Sequence, residues 1–514
     1  MSVNARAFVV VAVIAWLFFF VAKRVAGDLI SDEDYVRRRN VWFILTAGGF
    51  LLPNFWLYVA LAVFVLAWAA GRDSNPAALY MLVLYALPPT EFQIPQFIAV
   101  NQLRILSVVI LIPIAYRAMN RADVGAGNRL TWLDTFVIAF GLWQLVLFIP
   151  YEAFTNTIRR FSVYFLDTFI IFFAIARAGQ SRKELAEIVI VFVLAACLMS
   201  VLAGFEYSRS WLLYQYISEA WGQENFGAYL LRDGKLRSQV SAGHALILGY
   251  VMVFAFGLSL YVRHQLVNVH ARRFLPLVMW VGLFAAYSRG PWLAAVFTFF
   301  CYFSVQPQGL RKAAKALFVM GAVFGVVLMT PLGSNIISTL PFVGTVEQEN
   351  VTYRQQLAAL SWRLILENPW IGDPFFLDNM EELRQGQGII DLMNGYAAVA
   401  LASGVIGLTF YIGLFVVGAW KTLMAARRLS HQNDQFSELG FSLVACTLGT
   451  LLTIGVAGTG SIYYVLAGMM AAYIRVTRAE IAQAQHEDLN SRTSVRFAPQ
   501  SRAARVDGVS SWRN

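Results

Sequence analysis

Three arginines occupy positions from which their side chains could bind an anion. Arg237 precedes an apolar run, Arg289 lies between two apolar runs, and Arg354 lies in a long polar connection. A guanidinium group donates two parallel, charge-assisted hydrogen bonds to phosphate oxygens. Three such groups gathered at one site would suit a pyrophosphate. The alternative is that each side chain only extends from a helix end to the membrane surface.

The composition is that of a polytopic membrane protein, whose helices must position those arginines. Of the 514 residues, 58% are hydrophobic, 15% are aromatic and only 14% are charged, which is about half the charged fraction of a globular protein. This composition excludes a soluble enzyme, a disordered protein and a disulfide scaffold. We predict an all-α fold with about 12–14 transmembrane helices and a long periplasmic loop that contains short helices.

Runs of roughly 20 apolar residues predict the individual spans. Residues 41–70 form one longer run that Pro53 and Asn54 interrupt. We expect two short helices there, because basic residues make the preceding segment 23–40 cytoplasmic. Shorter runs lie at residues 79–88 and 102–116. The uninterrupted runs lie at residues 131–150, 161–178, 186–206, 240–262, 274–288, 291–306, 314–331, 396–419, 437–457 and 461–475.

Basic residues cluster in alternate short loops, which predicts the orientation of the helices. The basic loops lie near residues 177–183, 263–273, 311–315 and 421–428. If these loops are cytoplasmic, residues 207–239 and 332–395 form periplasmic loops. Arg237, Arg289 and Arg354 then all lie on the outer face, against the positive-inside bias. The net charge of +10 comes mainly from arginines that flank apolar runs, so we expect no nucleic-acid partner.

Two regions follow from these patterns. Residues 1–475 are predicted to form the transmembrane domain together with its two periplasmic loops. Residues 476–514 carry six arginines and four acidic residues without a sustained apolar pattern, which predicts a disordered cytoplasmic tail. We expect this tail to contact anionic membrane lipid only weakly.

The polar connection that carries Arg354 contains a predicted amphipathic helix. Thr352 and Gln355 have the spacing of a capping box, a stripe of leucines follows, and Pro369 ends the pattern. Arg354 would then lie in the first turn, where the free amide groups of the helix also attract an anion. The alternative is a purely structural loop helix whose arginine meets only solvent.

The same connection ends in a group of polar residues. Asp391 could act as a general base that takes a proton from a sugar hydroxyl, although Asp391 or Asn394 could instead cap the next helix. The side chains that could hold a sugar or the phosphate belong to Arg384, Gln387, Asn394 and Tyr396. No HExxH, CxxC or Walker A pattern is present, so neither a metal nor another cofactor is predicted.

In combination, these residues resemble the O-antigen ligase and polysaccharide polymerase superfamily, the WaaL and Wzy type of bacterial envelope glycosyltransferase. The resemblance runs from about residue 235 to residue 425. It rests on the order and spacing of four elements. These are Ser288-Arg289-Gly290, Glu367-Asn368-Pro369-Trp-Ile-Gly372, Asn394-Gly-Tyr396 and Ser403-Gly-Val-Ile-Gly-Leu408.

This resemblance implies a GT-C-like, metal-independent glycosyltransferase in the bacterial inner membrane. Such an enzyme takes a glycan from an undecaprenyl-pyrophosphate carrier at the periplasmic face and joins it to another glycan. Arg237, Arg289 and Arg354 would hold the pyrophosphate. Other proteins of polysaccharide assembly and export are the partners that the resemblance implies.

One position departs from the family pattern. Ligases of the family carry a histidine just before the asparagine, and Met393 stands there in this chain. Asp391, or another loop acid such as Glu347, Glu349 or Asp373, would have to serve as the base, unless leaving-group stabilisation suffices. The departure favours an exopolysaccharide polymerase over a ligase of lipid A-core. A flippase for lipid-linked oligosaccharide, a structural assembly subunit and an inactive relative are the alternatives.

Overall fold

Helices account for most of the chain that the computed structural model describes. Their buried aliphatic and aromatic side chains form one large core, and a small second cluster lies beside it. The described residues are all those of the chain except Met1, Asp28, 87–89, Gln96, 121–129, 223–228, Asp233, 329–347, 385–389, Asp391, Met393, Ala457, Thr459 and 497–514.

The amino-terminal part contains ten helices among the described residues. They are α1 Val3–Ala26, α2 Asp32–Leu51, α3 Phe55–Ala70, α4 Pro76–Val83, α5 Gln102–Leu106, α6 Ile112–Asn120, α7 Trp132–Phe148, α8 Phe154–Tyr164, α9 Ile170–Ala178 and α10 Arg182–Arg209. The π-helical segments Ser107–Leu111 and Phe165–Phe169 join α5 to α6 and α8 to α9.

The break between α2 and α3 confirms the prediction of two helices in residues 41–70. Pro53 has no amide hydrogen with which to continue α2. The Asn54 side chain accepts a hydrogen bond from the Trp56 amide at 2.7 Å and caps the start of α3. Both residues that interrupt the apolar run therefore stop one helix and start the next.

The carboxy-terminal part carries most of the predicted site. Its helices are α11 Gln215–Ala220, α12 Ala245–Gln265, α13 Val269–Ala285, α14 Arg289–Val305, α15 Gly309–Leu328, α16 Gln348–Glu367, α17 Gly395–His431, α18 Phe436–Ile454 and α19 Ile462–Arg496. Short 3-10 segments occupy Val240–Ala242 and Phe376–Leu383. Every uninterrupted apolar run of the sequence overlaps a helix of the structure.

Two antiparallel hairpins mark one end of the helices. Strand β1 (Glu91–Gln93) pairs with β2 (Ala99–Asn101), and β3 (Leu231–Arg232) pairs with β4 (Lys235–Leu236). Phe92 of β1 stacks on Phe55 at 4.1 Å, and Trp221 packs against the same Phe55 ring. The first hairpin and the chain around residue 221 thus meet at one end, which we call the hairpin end.

Buried ion pairs mark the opposite end. Asp134, at the start of α7, accepts hydrogen bonds from Arg177 at 2.9 Å and from Arg475 at 2.7 Å. Removing one partner of such a buried pair is strongly destabilising. The basic residues at 177–183 adjoin this end, since Arg182 is paired with Asp434. Those at 421–428 lie in the last turns of α17 rather than in a loop, close to the same Asp434. That this end faces the cytoplasm stays a prediction.

The all-α polytopic fold is confirmed. Among the described residues, seven helices are long and apolar enough to cross a membrane, and Phe55–Ala70 and Trp132–Phe148 are shorter apolar helices. The total of about 12–14 transmembrane helices and the division of the chain at residue 475 stay predictions.

The segment after residue 475 differs from the expected disordered tail. Helix α19 continues to Arg496, and Val476 and Thr477 are buried against the other helices. Glu480 pairs with Arg182 at 2.6 Å, which fixes this part of the helix to the start of α10. Residues 476–496 are helical, and the ion pair of Glu480 holds the first part of this stretch beside α10. The remainder, residues 497–514, lies outside the described residues.

Candidate functional site

The segment that carries Arg237 is held by one buried carboxylate. Glu206, near the end of α10, is fully buried. Its two oxygens accept hydrogen bonds from the amide groups of Leu213 at 2.9 Å, Gln239 at 3.0 Å and Val240 at 2.9 Å. Three backbone donors satisfy the charge of a buried carboxylate. Glu206 therefore fixes the backbone just after Arg237.

The Arg237 guanidinium is held in a desolvated position. Its Nε atom is buried and has no hydrogen-bond partner among the described residues. Burial, and secondarily repulsion by Arg232, lowers the pKa of the Arg237 side chain to about 10. Because this charge has already lost water without gaining a partner, pairing with an anion lowers its free energy more than it would for an arginine in water.

The turn between α13 and α14 presents Arg289. Tyr287 has a φ of 45°, a left-handed conformation that is unfavourable for a residue with a side chain. The Trp292 indole stabilises this turn by donating a hydrogen bond to the Leu283 carbonyl at 2.6 Å. Ser288 is the N-cap of α14, and its side chain makes no capping hydrogen bond. The strained turn directs the first turn of α14 toward the hairpin end.

Arg289 itself resembles Arg237 in its surroundings. It is the first residue of α14, it is half-buried, and its Nε atom has no hydrogen-bond partner among the described residues. The first amide groups of a helix also lack intrahelical acceptors and carry a partial positive charge. Side chain and helix end therefore attract the same anion.

The two arginine segments are in direct contact. The Ser238 amide donates a hydrogen bond to the Ala285 carbonyl at 3.0 Å, which joins the residue after Arg237 to the end of α13. Lys235 also lies 5.8 Å from the centre of the Tyr287 ring. Arg237 and Arg289 thus flank the same junction of α12, α13 and α14. Chemically, this arrangement can bind a doubly charged phosphate group and stabilise negative charge that develops on it.

Arg354 lies on α16, but the predicted capping box is wrong. The helix begins at Gln348, so Thr352 is inside it and Arg354 lies in the second turn rather than the first. The helix-end contribution to anion binding expected at Arg354 is therefore absent. Arg354 is exposed and has a partner within the protein. The predicted end of the helix before Pro369 is confirmed, since α16 ends at Glu367.

The leucine stripe of α16 packs as expected. Leu357 is buried, and Leu360 and Leu364 lie against a small cluster that includes Met380 and Leu401. The Tyr353 hydroxyl donates a hydrogen bond to the Leu383 carbonyl at 3.1 Å. This cluster fixes α16, and with it the backbone of Arg354, against α17.

Gly372 and Gly404, which belong to two elements of the family resemblance, lie against each other in a backbone contact that we call the joint. Gly372 and Gly404 both have a positive φ, at 67° and 65°, and Gly404 is a kink inside α17. A Cβ atom on Gly404 would overlap the Trp370 carbonyl. The Val405 amide instead donates to the Pro369 carbonyl at 2.8 Å. The kink thus lets the turn after α16 dock backbone to backbone into α17.

The joint satisfies the backbone groups that the kink exposes. The Asp373 amide donates to the Leu401 carbonyl at 2.7 Å, and the Trp143 indole donates to the Ser403 carbonyl at 2.9 Å. The Asp373 carboxylate accepts from the Phe375 amide at 2.8 Å and from Asn379 at 3.0 Å. Asp373 therefore stabilises the turn, and its role as a base stays a prediction that these bonds disfavour.

The predicted sugar-binding residues have structural partners. Arg384 is exposed and paired with Glu381, whose hydrogen bond from the guanidinium lowers the pKa of the Glu381 carboxyl. The Asn394 side chain accepts from the amides of Tyr396 at 3.0 Å and Ala397 at 3.1 Å, so it caps α17. The Tyr396 hydroxyl donates to the Leu451 carbonyl. Their roles in sugar binding stay predictions.

Several predicted residues cannot be compared with the structure. Gln387, Asp391 and Glu347 lie outside the described residues, and so does the side chain of Glu349. The roles of Gln387 and Asp391 stay predictions. Among the described residues, no group of three or more His, Cys, Asp or Glu side chains is arranged to hold a metal ion.

The structure adds residues that the sequence patterns leave out. Glu206 has no sequence signal, because its partners are backbone amides rather than side chains. Arg104, Arg159 and Arg160 line a cavity of about 610 Å³ at the hairpin end. The signal used for Arg237, an arginine on the predicted outer face, would also have identified Arg159 and Arg160, which directly precede the predicted span at residues 161–178.

Comparison with known protein families identifies a match in the carboxy-terminal part of the chain. Residues 274–412 match the model of a protein family described as O-antigen ligase. The matched segment includes Arg289, Arg354 and the joint of Gly372 with Gly404, whereas Arg237 precedes it. No curated protein matches the chain.

Proposed function

Because residues 274–412 match the O-antigen ligase family, we propose that this membrane protein polymerises or transfers undecaprenyl-pyrophosphate-linked oligosaccharide repeat units. In this proposal it works at the periplasmic face of the bacterial inner membrane, in exopolysaccharide or O-antigen biosynthesis. The acceptor hydroxyl attacks the anomeric carbon of the donor glycan. The bond from that carbon to the pyrophosphate oxygen breaks, and the lipid pyrophosphate leaves.

The observation that carries this proposal is the pair Arg237 and Arg289 beside the first turn of α14. Both guanidinium groups have a buried Nε atom without a partner among the described residues. A leaving pyrophosphate gains negative charge as its bond to the sugar breaks. Cations already held in place stabilise that charge without reorganising, an effect worth about 3 to 4 kcal/mol for one donor. These arginines would thereby replace a metal ion in the reaction.

Arg354 and Asp391 complete the proposed machinery. Arg354 lies on a helix that is packed against α17, and we assign it to the pyrophosphate or to the first sugar. Asp391 precedes the Asn394 cap of α17 by three residues. Its carboxylate would accept the proton of the acceptor hydroxyl, because general-base catalysis requires a base within hydrogen-bond reach of that proton.

A polymerase is preferred to a ligase, since Met393 occupies the position of the ligase histidine and cannot accept a proton. The ligase of lipid A-core is the alternative within the same chemistry. A flippase would need a titratable group within the membrane. Asp167 is such a residue, but its carboxylate forms a two-pronged ion pair with Arg104 at 2.7 and 3.0 Å. This pairing gives Asp167 a structural role, so Asp167 supplies no separate support for a flippase.

The decisive experiment offers lipid-linked repeat units to the purified protein in detergent, where there is no leaflet to cross. We expect chain growth from the wild-type protein. Arg289→Ala and Arg354→Ala should each reduce the rate, by about 100- to 1000-fold if each supplies one donor to the developing charge. Arg363→Ala is the matched control, because Arg363 is exposed on the same α16 and pairs only with Glu367 among the described residues.

Two results would contradict the proposal. Normal polymer from both Arg289→Ala and Arg354→Ala would remove its electrostatic basis. Absence of chain growth by folded wild-type protein, together with movement of the same lipid across vesicle bilayers, would identify a flippase. Asp391→Asn tests the base separately. If its activity equals that of the wild-type protein, Asp391 has no part in proton transfer.

A further inference from the structure

The cavity at the hairpin end that Arg104, Arg159 and Arg160 line has the features of a ligand site. It measures about 610 Å³ and lies between the β1–β2 hairpin, α7, α8 and Ala402 of α17. Cavities of roughly 300 to 1,000 Å³ are the size that holds small ligands. Charged and carboxamide side chains line it, so it does not resemble a groove for a lipid tail.

The charges of the cavity leave one cation available. Arg104 donates to Asp167 at 2.7 Å through Nη2, and Arg160 donates to Glu152 at 2.7 Å through the equivalent atom. Arg159 is half-buried and forms no salt bridge with a described residue, although Glu152, the partner of Arg160, also interacts with it electrostatically. An anionic group in the cavity could therefore bind Arg159 without breaking a salt bridge of that side chain.

The uncharged lining is suited to hydroxyl groups. Gln144 and Gln93 both face the cavity, and a carboxamide offers two donors and one acceptor. The Gln144 side chain is half-buried and makes no hydrogen bond among the described residues. Phe97 and Phe148 supply aromatic surface, and Phe148 is held by the Arg160 guanidinium 4.2 Å from its ring centre. Carboxamides beside aromatic rings match a saccharide, which presents hydroxyl groups around apolar ring faces.

A series of contacts through the first turn of α19 links the cavity to Arg237. Thr168 lines the cavity and is hydrogen-bonded to Tyr464. The neighbouring Tyr463 shares a small internal cavity with Tyr250. Tyr250 in turn interacts electrostatically with Arg237. Side chains at the start of α19 thus connect the cavity lining to Tyr250 and Arg237.

We propose that this cavity binds the saccharide of the acceptor, with an acidic group of that saccharide on Arg159. The proposal rests on the transferase function above, because a transferase must hold an acceptor beside its donor. The contacts through the first turn of α19, which connect the cavity to Arg237, support this requirement. The shared chemistry of the acidic group is an oxyanion, either a sugar carboxylate or a sugar phosphate.

Binding can be measured without turnover, on the full-length protein in lipid nanodiscs. The probes are trigalacturonate as a carboxylated saccharide, glucose 1-phosphate as a phosphorylated one and maltotriose as a neutral one. We expect Arg159→Met to weaken the binding of at least one anionic probe about 10-fold or more, which is the loss of one charge-assisted hydrogen bond. Maltotriose should bind both proteins equally. Arg159→Lys, which keeps the charge, should recover part of the lost affinity.

Gln144→Leu tests the contacts with the saccharide hydroxyl groups and should weaken the binding of all three probes. Arg363→Met is the control that removes an exposed arginine elsewhere. Equal affinities of wild-type and Arg159→Met protein for both anionic probes would overturn the proposal. The proposal would also be overturned if every probe bound the Gln144→Leu and wild-type proteins with equal affinity.

The transfer assay separates failure of this proposal from failure of the proposed function. Arg159→Met should raise the KM for an acidic acceptor and leave kcat nearly unchanged, whereas Arg289→Ala should lower kcat. Transfer that depends on Arg289 but is indifferent to Arg159 and Gln144 would overturn the acceptor site alone. Saccharide binding that depends on Arg159, in a protein that transfers nothing, would overturn the transferase and the acceptor role together.

Discussion

Replacing Arg237 by methionine should stabilise the ligand-free protein while abolishing its activity. Burial lowers the pKa of Arg237 to about 10, so the folded protein holds this charge at a cost. At about 1.4 kcal/mol per tenfold change in equilibrium, the cost is about 3 kcal/mol. Screening of the partly exposed side chain reduces it to about 2 kcal/mol. Below about pH 10 the side chain is charged in both the folded and the unfolded protein, so the full destabilisation applies at pH 7. It declines only above about pH 10, where Arg237 of the folded protein loses its proton.

The measurement is thermal unfolding of the detergent-solubilised protein, followed by tryptophan fluorescence. For a chain of this length, whose unfolding entropy is about 1 kcal/mol per degree, we expect Arg237→Met to raise the midpoint by about 2 °C. Undecaprenyl pyrophosphate at ten times its Kd should stabilise the wild-type protein by about 1.4 kcal/mol. It should stabilise the variant far less, because one of the two guanidinium groups is missing. Arg363→Met, which removes an exposed arginine, should leave the midpoint unchanged.

A lower midpoint for Arg237→Met would refute this reasoning. It would mean that the Arg237 side chain stabilises the ligand-free fold, in which case its desolvated charge is not held for a ligand. Equal stabilisation of both proteins by the lipid pyrophosphate would refute the ligand assignment and leave the energetic argument intact.

Three further substitutions test how the site is positioned. Gly404→Ala should destabilise the fold by more than about 3 kcal/mol, because its Cβ atom would overlap the Trp370 carbonyl. We expect faster proteolysis of the loop after α16, and an unchanged proteolysis rate would contradict the importance of the Gly372–Gly404 contact. Glu206→Gln should lower the free energy of unfolding by about 1 to 3 kcal/mol and reduce the transfer rate, because a carboxamide nitrogen cannot accept hydrogen bonds from the backbone amides. A wild-type transfer rate would show that other contacts hold the segment of Arg237. Asp134→Asn should lower the unfolding midpoint, since it removes a buried charge that pairs with Arg177 and Arg475 at the end opposite the hairpins. The kcat of the protein that remains folded should not change, and a lowered kcat would show that this end takes part in catalysis.

Apolar run length identified the helices because the bilayer sets a length that the chain must meet. The break at Pro53 and Asn54 was predictable for the same local reason, since one residue cannot continue a helix and the next begins one. The capping box at Thr352 was wrong because α16 starts four residues earlier, at Gln348. The pattern of residues 352–355 is compatible with a cap, but it does not exclude a helix that already exists.

The candidate site was less predictable, because its geometry depends on contacts between distant segments. Arg237 and Arg289 could be recognised as arginines on one face, but not as neighbours through Ser238 and Ala285. The contact of Gly372 with Gly404 likewise depends on a kink in α17. Residues 476–496 have the composition of a tail, yet they continue α19, and Glu480 pairs with Arg182 on another helix, a contact that no local pattern reveals.

The most direct test is an experimental structure of the protein with bound undecaprenyl pyrophosphate. We predict that the diphosphate lies at the first turn of α14, within hydrogen-bond distance of the guanidinium groups of Arg237 and Arg289. A diphosphate bound at the opposite end, beside Arg177 and Arg182, or one that contacts neither Arg237 nor Arg289, would contradict the account.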